Sequence, residues 1–162
     1  MEAMEERLSR DEILQRLALQ HQRLIESFAR LTPEQWLASN AVGTWSAKDV
    51  LAHLVYWNRF ATDELQAAVT GTSFAHPSGT TDEINAQAVV SFQGWTSEAI
   101  RSAFEHSYAE LLDCVKSLPQ SAFEADSPIE QTLDDTIHGA LANNTYEHWP
   151  IHEAQIRAWI EA

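Results

Sequence analysis

Cysteine occurs once in this chain, at Cys114. A single thiol excludes an internal disulfide framework and suits a reducing compartment. No apolar run reaches the ~20 residues that a membrane span requires, so no membrane-embedded part is expected. Lysine and arginine together number 10 against 24 acidic residues, for a net charge of −14. Phosphate backbones and anionic lipid surfaces both call for clustered cations. The balance therefore argues against a nucleic-acid partner and against docking on a membrane. Acidity of this kind serves solubility. Glycine and proline number 5 each and gather between periodic segments, and alternating β-branched residues are nearly missing. Strands are thus not expected. Residues 1–7 are acidic and polar, unlike a secretory signal, which points to a cytoplasmic protein.

What the chain has is helical periodicity. Capping boxes pair a hydroxyl with a carboxylate one turn later, and they mark helix starts at Ser9/Glu12, Ser46/Asp49, Thr80/Glu83 and Thr132/Asp135. Thr96 is a weaker start of the same kind. The first helix is predicted over residues 10–31, with the seam Leu14, Leu17, His21, Leu24, Phe28 and Leu31. The second covers 47–69, with Val50, Leu54, Trp57, Ala61 and Leu65 inward. A Gly/Ser/Thr/Pro-rich stretch over 70–80 leads to a short helix over 81–92. The third long helix spans 97–118 along Ile100, Phe104, Ser107, Leu111, Cys114 and Leu118. The last spans 133–160. With 162 residues, 44% of them hydrophobic, the expectation is one domain over residues 1–162. That domain is an all-α four-helix bundle with a short extra helix between the second and third long ones.

The last helix departs from the apolar pattern. Its seam reads His138, Leu141, Thr145, His148, His152, Gln155 and Trp159. A bundle core does not accept such groups unpaired, because each costs ~1–3 kcal/mol. Either this face lines a polar cavity or a metal and its supporting groups satisfy it. His148 and His152 are four apart and share one helix face. His53, at the edge of the second helix's stripe, can supply a third nitrogen from a facing helix. Such a set holds a divalent metal with a position open for water or substrate. His138 lies ten residues before His148, about 15 Å along a helix axis, and cannot share that metal; it reads as a helix-start histidine partly in water. His21 interrupts an apolar seam, as a core histidine or a group supporting the site. His76 and His106 read as surface. Asp49 sits one turn before His53, where it caps the helix or orients the imidazole. Pro150, between His148 and His152, predicts a bend that moves them out of register or opens a pocket beside them. Trp45, Tyr56, Trp57, Trp95 and Trp149 supply core or the wall of a cavity. Asn85 and Gln87, in the short helix, stand at the cavity mouth or on the surface. Cys114 reads as a buried, inert residue.

Three segments carry a family resemblance: Trp45-Ser46-Ala47-Lys48-Asp49-Val50-Leu51-Ala52-His53-Leu54, then Asp82-Glu83-Ile84-Asn85-Ala86-Gln87, then Asn144-Thr145-Tyr146-Glu147-His148 through His152 to Trp159. In these the chain resembles the DinB-like superfamily of damage-inducible four-helix bundles, and within it the ClbS/DfsB-like branch. The resemblance implies an up-down-down-up bundle, frequent homodimers and a stress-response or detoxification role. It also implies a divalent metal, zinc or nickel, on one histidine of the second helix and two of the last, which map onto His53, His148 and His152. Asp49, Trp57, Asn85, Thr145 and His21 are the candidates for supporting or pocket roles. Two functions follow for a small-molecule substrate. One is a metal-dependent hydrolase or thiol S-transferase acting on a reactive compound. The other is a metal-independent resistance or binding protein that sequesters or opens a toxic electrophile.

Overall fold

The computed structural model describes residues 6–162. The part of the leader reading that rests on residues 1–5 lies outside the described residues. Helix α1, Arg10–Ala29, starts where Ser9 and Glu12 exchange hydrogen bonds with each other's backbone. Thr32 and Gln35 use the same device to start the short α2, Pro33–Leu37. Ser46 and Asp49 cap α3, Ala47–Thr70, which Gly71 ends in the left-handed region at φ 69; glycine enters that region without a Cβ clash. Thr80 and Glu83 open α4, Thr81–Ser91, and Thr96 caps α5, Ser97–Ser117. A 3₁₀ turn, Gln120–Phe123, precedes α6, Pro128–Leu133, α7, Ile137–Ala142, and α8, Trp149–Glu161.

Cross-helix bonds give the directions. Arg10 reaches the Leu118 carbonyl and His21 reaches Glu105, so α1 and α5 run antiparallel. Lys48 reaches the Trp95 carbonyl and Asn58 reaches Ser107, so α3 and α5 run parallel. Ser27 bonds Glu153 and Arg30 bonds Glu161, so α1 and α8 run parallel. The bundle is thus up-down-down-up, and α4 lies in the long connection that the parallel pair requires. Leu17, Leu24, Val50, Leu54, Leu65, Ile100, Phe104, Leu111 and Trp149 form its fully buried centre, each contributing ~1.5–3 kcal/mol of transfer free energy. The described residues hold no strand, only an isolated bridge between Val42 and Trp45. No helix among them is long and apolar enough to cross a membrane.

The single long helix expected over 133–160 is two separate helices, α7 and α8, preceded by α6, which ends at Leu133. Thr132 and Asp135 form no capping box: Ser127 caps α6 ahead of Pro128, and the Thr132 hydroxyl donates back to the Pro128 carbonyl. Asp134 turns left-handed at φ 55 and Thr136 caps α7. After Ala142 the run Asn143-Asn144-Thr145 breaks the ladder, because short polar side chains offer the backbone local alternatives. The Thr145 hydroxyl donates to the Leu141 carbonyl at 2.7 Å. Its carbonyl accepts from the backbone N–H groups of both His148 and Trp149. Pro150 therefore bends nothing. It lies in the first turn of α8, where a missing N–H leaves no bond unmade.

Candidate metal centre

Each imidazole of the cluster arrives by a different local device. His53, 1% exposed, sits two turns into α3. Its Nδ1–H donates to the Val50 carbonyl, which leaves Nε2 as a bare lone pair. A carbonyl can only accept, so the tautomer follows from the partner. Trp45 backs the ring at 4.8 Å between centroids. A tight turn around Gly43, at φ 59, closed by the Val42–Trp45 bridge, brings it there. His152 lies one turn into α8, and its Nδ1 meets the Gln155 side-chain oxygen at 2.8 Å, again leaving Nε2 free. His148 occupies the position before α8, held by its backbone N–H on the Thr145 carbonyl. Its Nδ1 is buried, with the Asn144 backbone as its poorly aligned neighbour.

The three Nε2 atoms face one another. His148 to His53 measures 3.3 Å and His148 to His152 measures 3.0 Å. These groups form the set of potential metal ligands among the described residues. With Nδ1 protonated on His53 and His152, one N–H from His148 can serve one neighbour and not both. A lone pair is left facing a lone pair unless a cation stands between them. Protons are a poor choice of cation here. Burial, joined by the mutual repulsion of the rings, pulls the His53 pKa down to about 3 and that of His148 to about 4. Burial also lowers His152, against the opposing bond from Gln155. A metal fits better: tetrahedral coordination at ~2.0–2.1 Å places neighbouring nitrogens about 3.3 Å apart. The Val50 carbonyl and Gln155 fix the orientation and tautomer of two of these imidazoles, the role that outer partners play where imidazoles bind a metal.

The other sequence candidates fall in varied places. The Asp49 carboxylate accepts the Ser46 N–H in the cap, and the Val50 carbonyl takes the bond to His53 that Asp49 was a candidate for. Trp57 donates its indole N–H to Asn85 at 2.7 Å, a bond that fastens α4 to α3. Thr145, fully buried, builds the turn under His148. His21 stacks on Tyr108 at 3.7 Å between centroids and bonds Glu105, on the α1–α5 contact. His138 is 7% exposed and bonds the Tyr146 hydroxyl, so it is not the half-solvated histidine the sequence implied. The α7 break turns it inward. Sequence reasoning passed over Gln155 as a partner, although it stands one turn beyond His152 in the same polar seam. It also missed Asn58, a polar residue on an apolar stripe between Leu54 and Ala61.

The description DinB superfamily belongs to a family model that matches residues 16–149. No curated protein matches the sequence. Among solved structures, the sibling lethal factor precursor DfsB is 14% identical with a TM-score of 0.81, over 96% of this chain and 97% of that one. The colibactin self-resistance protein ClbS, in complex with dsDNA, is 11% identical with a TM-score of 0.80, over 95% and 96%. A mutant of the mycothiol-dependent maleylpyruvate isomerase is 15% identical with a TM-score of 0.64, over 92% of this chain and 61% of that one.

The ClbS complex overturns the exclusion of nucleic acid that the charge balance had prompted. Net charge sums the whole chain, whereas a duplex feels charges within a Debye length of about 8 Å. Arg7, Arg10, Arg16, Arg30 and Arg157 are taken up in ion pairs. Lys48, Arg59 and Arg101 instead meet the Trp95 carbonyl and the rings of Phe92 and Trp36. A whole-chain total does not show such local differences.

Proposed function

The chain belongs to the DinB superfamily, and on that premise we propose that it is a metal-dependent enzyme acting on a reactive small molecule. Zinc or nickel is held by His53, His148 and His152, and the reaction is hydrolysis or thiol transfer. The observation that carries this reading is the approach of the His148 Nε2 to those of His152 and His53 at 3.0 and 3.3 Å, with all three ligand atoms within 4.8 Å of one another and too few protons to pair them. Such a metal, when bound, lowers the pKa of a coordinated water or thiol and polarises a carbonyl. The chain's own part is orientation and shielding. Val50 and Gln155 hold two imidazoles in the ligating tautomer, and Trp45 covers one side of His53 with an apolar face. The rings of His148 and His152 are half-buried, so a small substrate approaches from their side.

Elemental analysis of untagged protein tests this. The expected result is one zinc or nickel per chain, lost in His148→Ala. Substoichiometric metal that His148→Ala leaves unchanged overturns it. A second reading draws on the likeness to ClbS and DfsB, which extends along nearly the whole of each chain. Here the protein is a metal-independent resistance protein that sequesters or opens an electrophile, with the histidines as hydrogen-bonding or acid–base groups. Binding of an electrophile or of duplex DNA that survives EDTA supports this second reading, and loss of binding with EDTA counts against it.

A further inference from the structure

His148 is the least restrained of the three imidazoles. His53 and His152 are locked through Nδ1, one by a backbone carbonyl and one by an amide oxygen. The His148 ring has only a poorly aligned contact with the Asn144 backbone, and it precedes α8 rather than lying within it. Its place must come from the backbone, and the backbone there is held by the next residue. Trp149 is fully buried. Its ring packs at 5.8 Å from Phe104 and 5.9 Å from Tyr108 between centroids. Its indole N–H donates to the side-chain oxygen of Asn58 at 2.9 Å.

Asn58 is itself fully buried, on α3. Its amide nitrogen donates to the Ser107 hydroxyl at 3.0 Å, and that hydroxyl donates to the Phe104 carbonyl at 2.8 Å. The first residue of α8 is thereby tied to α3 and α5 through a continuous chain of hydrogen bonds ending on the Phe104 carbonyl. Asn58 is also five residues from His53 on the same helix, about 7.5 Å along its axis. One rigid helix therefore carries both a ligand and the anchor that sets the distance to another ligand. A buried amide offers less to packing than a leucine of similar size, so its presence in a stripe of apolar residues calls for a purpose beyond stability.

We infer that Asn58 is a positioning residue for the metal centre, acting on His148 through the Trp149 indole. This rests on the metal reading above. Cobalt(II) titrated into the metal-stripped full chain tests it, with affinity and the visible d–d spectrum as readouts and thermal unfolding of the metal-free protein as a control for folding. Asn58→Leu is expected to weaken cobalt binding about 10-fold, the lower end of the cost of losing a partner bonded directly to a ligand, since Asn58 acts one residue removed. Its spectrum should move away from the intense bands of a tetrahedral site. Trp149→Phe removes the same bond from the other side. It should give the same spectral change, and the double variant should bind no more weakly than Asn58→Leu alone, since both act on one link. Trp149→Phe also serves as the decisive variant should Asn58→Leu not fold. Wild-type affinity and an unchanged spectrum in a folded Asn58→Leu or Trp149→Phe overturn the positioning role, whatever happens to thermal stability. Equal, weak binding by wild type and His148→Ala is a different failure: it removes the metal reading itself, and the positioning role with it.

Discussion

One histidine of this bundle, His21, interrupts an apolar seam alone, while three others gather at His53, His148 and His152, and the two surroundings differ sharply. His21, on the α1–α5 contact, stacks on Tyr108 and meets the Glu105 carboxylate at 2.9 Å. Its polar edge has an anion to answer it. At the His53–His148–His152 cluster nitrogen faces nitrogen at 3.0 and 3.3 Å. The first pairs a ring nitrogen with an anion; the second sets ring nitrogens against one another, an arrangement that a cation between them would satisfy. Whether a histidine is a structural partner or a ligand is thus decided by what its ring nitrogens meet, not by its place in a heptad-like pattern.

The largest expected effect sharpens that contrast through stability. Zinc at 1,000 times its dissociation constant stabilises a site it binds only in the folded state by about 4 kcal/mol. Thermal unfolding with and without zinc should show that increment in wild type and in His21→Ala, and its loss in His148→Ala or His53→Ala. An increment that survives in His148→Ala breaks the contrast.

Acid gives the next effect. In the metal-free protein burial pulls His53 down to about 3 and His148 to about 4, from the ordinary imidazole value of about 6.5. A depressed histidine pKa means that the folded state resists protonation. Its stability is complete above pH 6.5 and falls as pH drops towards the folded values. Over the first pH unit below 6.5 each should cost about 1 kcal/mol. Urea midpoints measured with EDTA should fall accordingly, and His53→Ala/His148→Ala should flatten the profile.

Smaller again is Gln155→Ala, which frees Nδ1 of His152. About a tenfold loss of metal affinity, near 1.4 kcal/mol, is expected from competition titration with a chelator. Smallest is Glu105→Gln beside His21. A half-exposed pair contributes under about 1 kcal/mol, so only a slight shift in urea midpoint is expected, with metal content unchanged. A change in metal content there would join the two groups that the geometry separates.

Much of the fold was legible because its signals are local. The boxes at Ser9, Ser46 and Thr80 each satisfy orphan N–H groups with residues one turn apart, and all three open the helices expected of them. The box read at Thr132 failed because Ser127-Pro128 starts a helix earlier and Asp134 ends it. Residues 137–160 kept a helical spacing of polar groups, which disguised the break at Asn143-Asn144-Thr145. The expected disturbance from Pro150 disappears for the same reason: no helix precedes α8 in line, so a proline in its first turn has nothing to bend.

Legible in the sequence were three long amphipathic helices, their main caps, and an inward polar stripe bearing His148 and His152 on a last segment read as unbroken. These follow from propensity and spacing, which act over a turn or two of chain. Only the tertiary structure decided that His53 and His148, 95 positions apart, bring their Nε2 atoms within 3.3 Å. It also decided that Trp149 hangs on Asn58, and that His138 turns inward to Tyr146. Those pairings depend on how α3, α5 and α8 pack across the core, where distance in space has no fixed relation to distance along the chain.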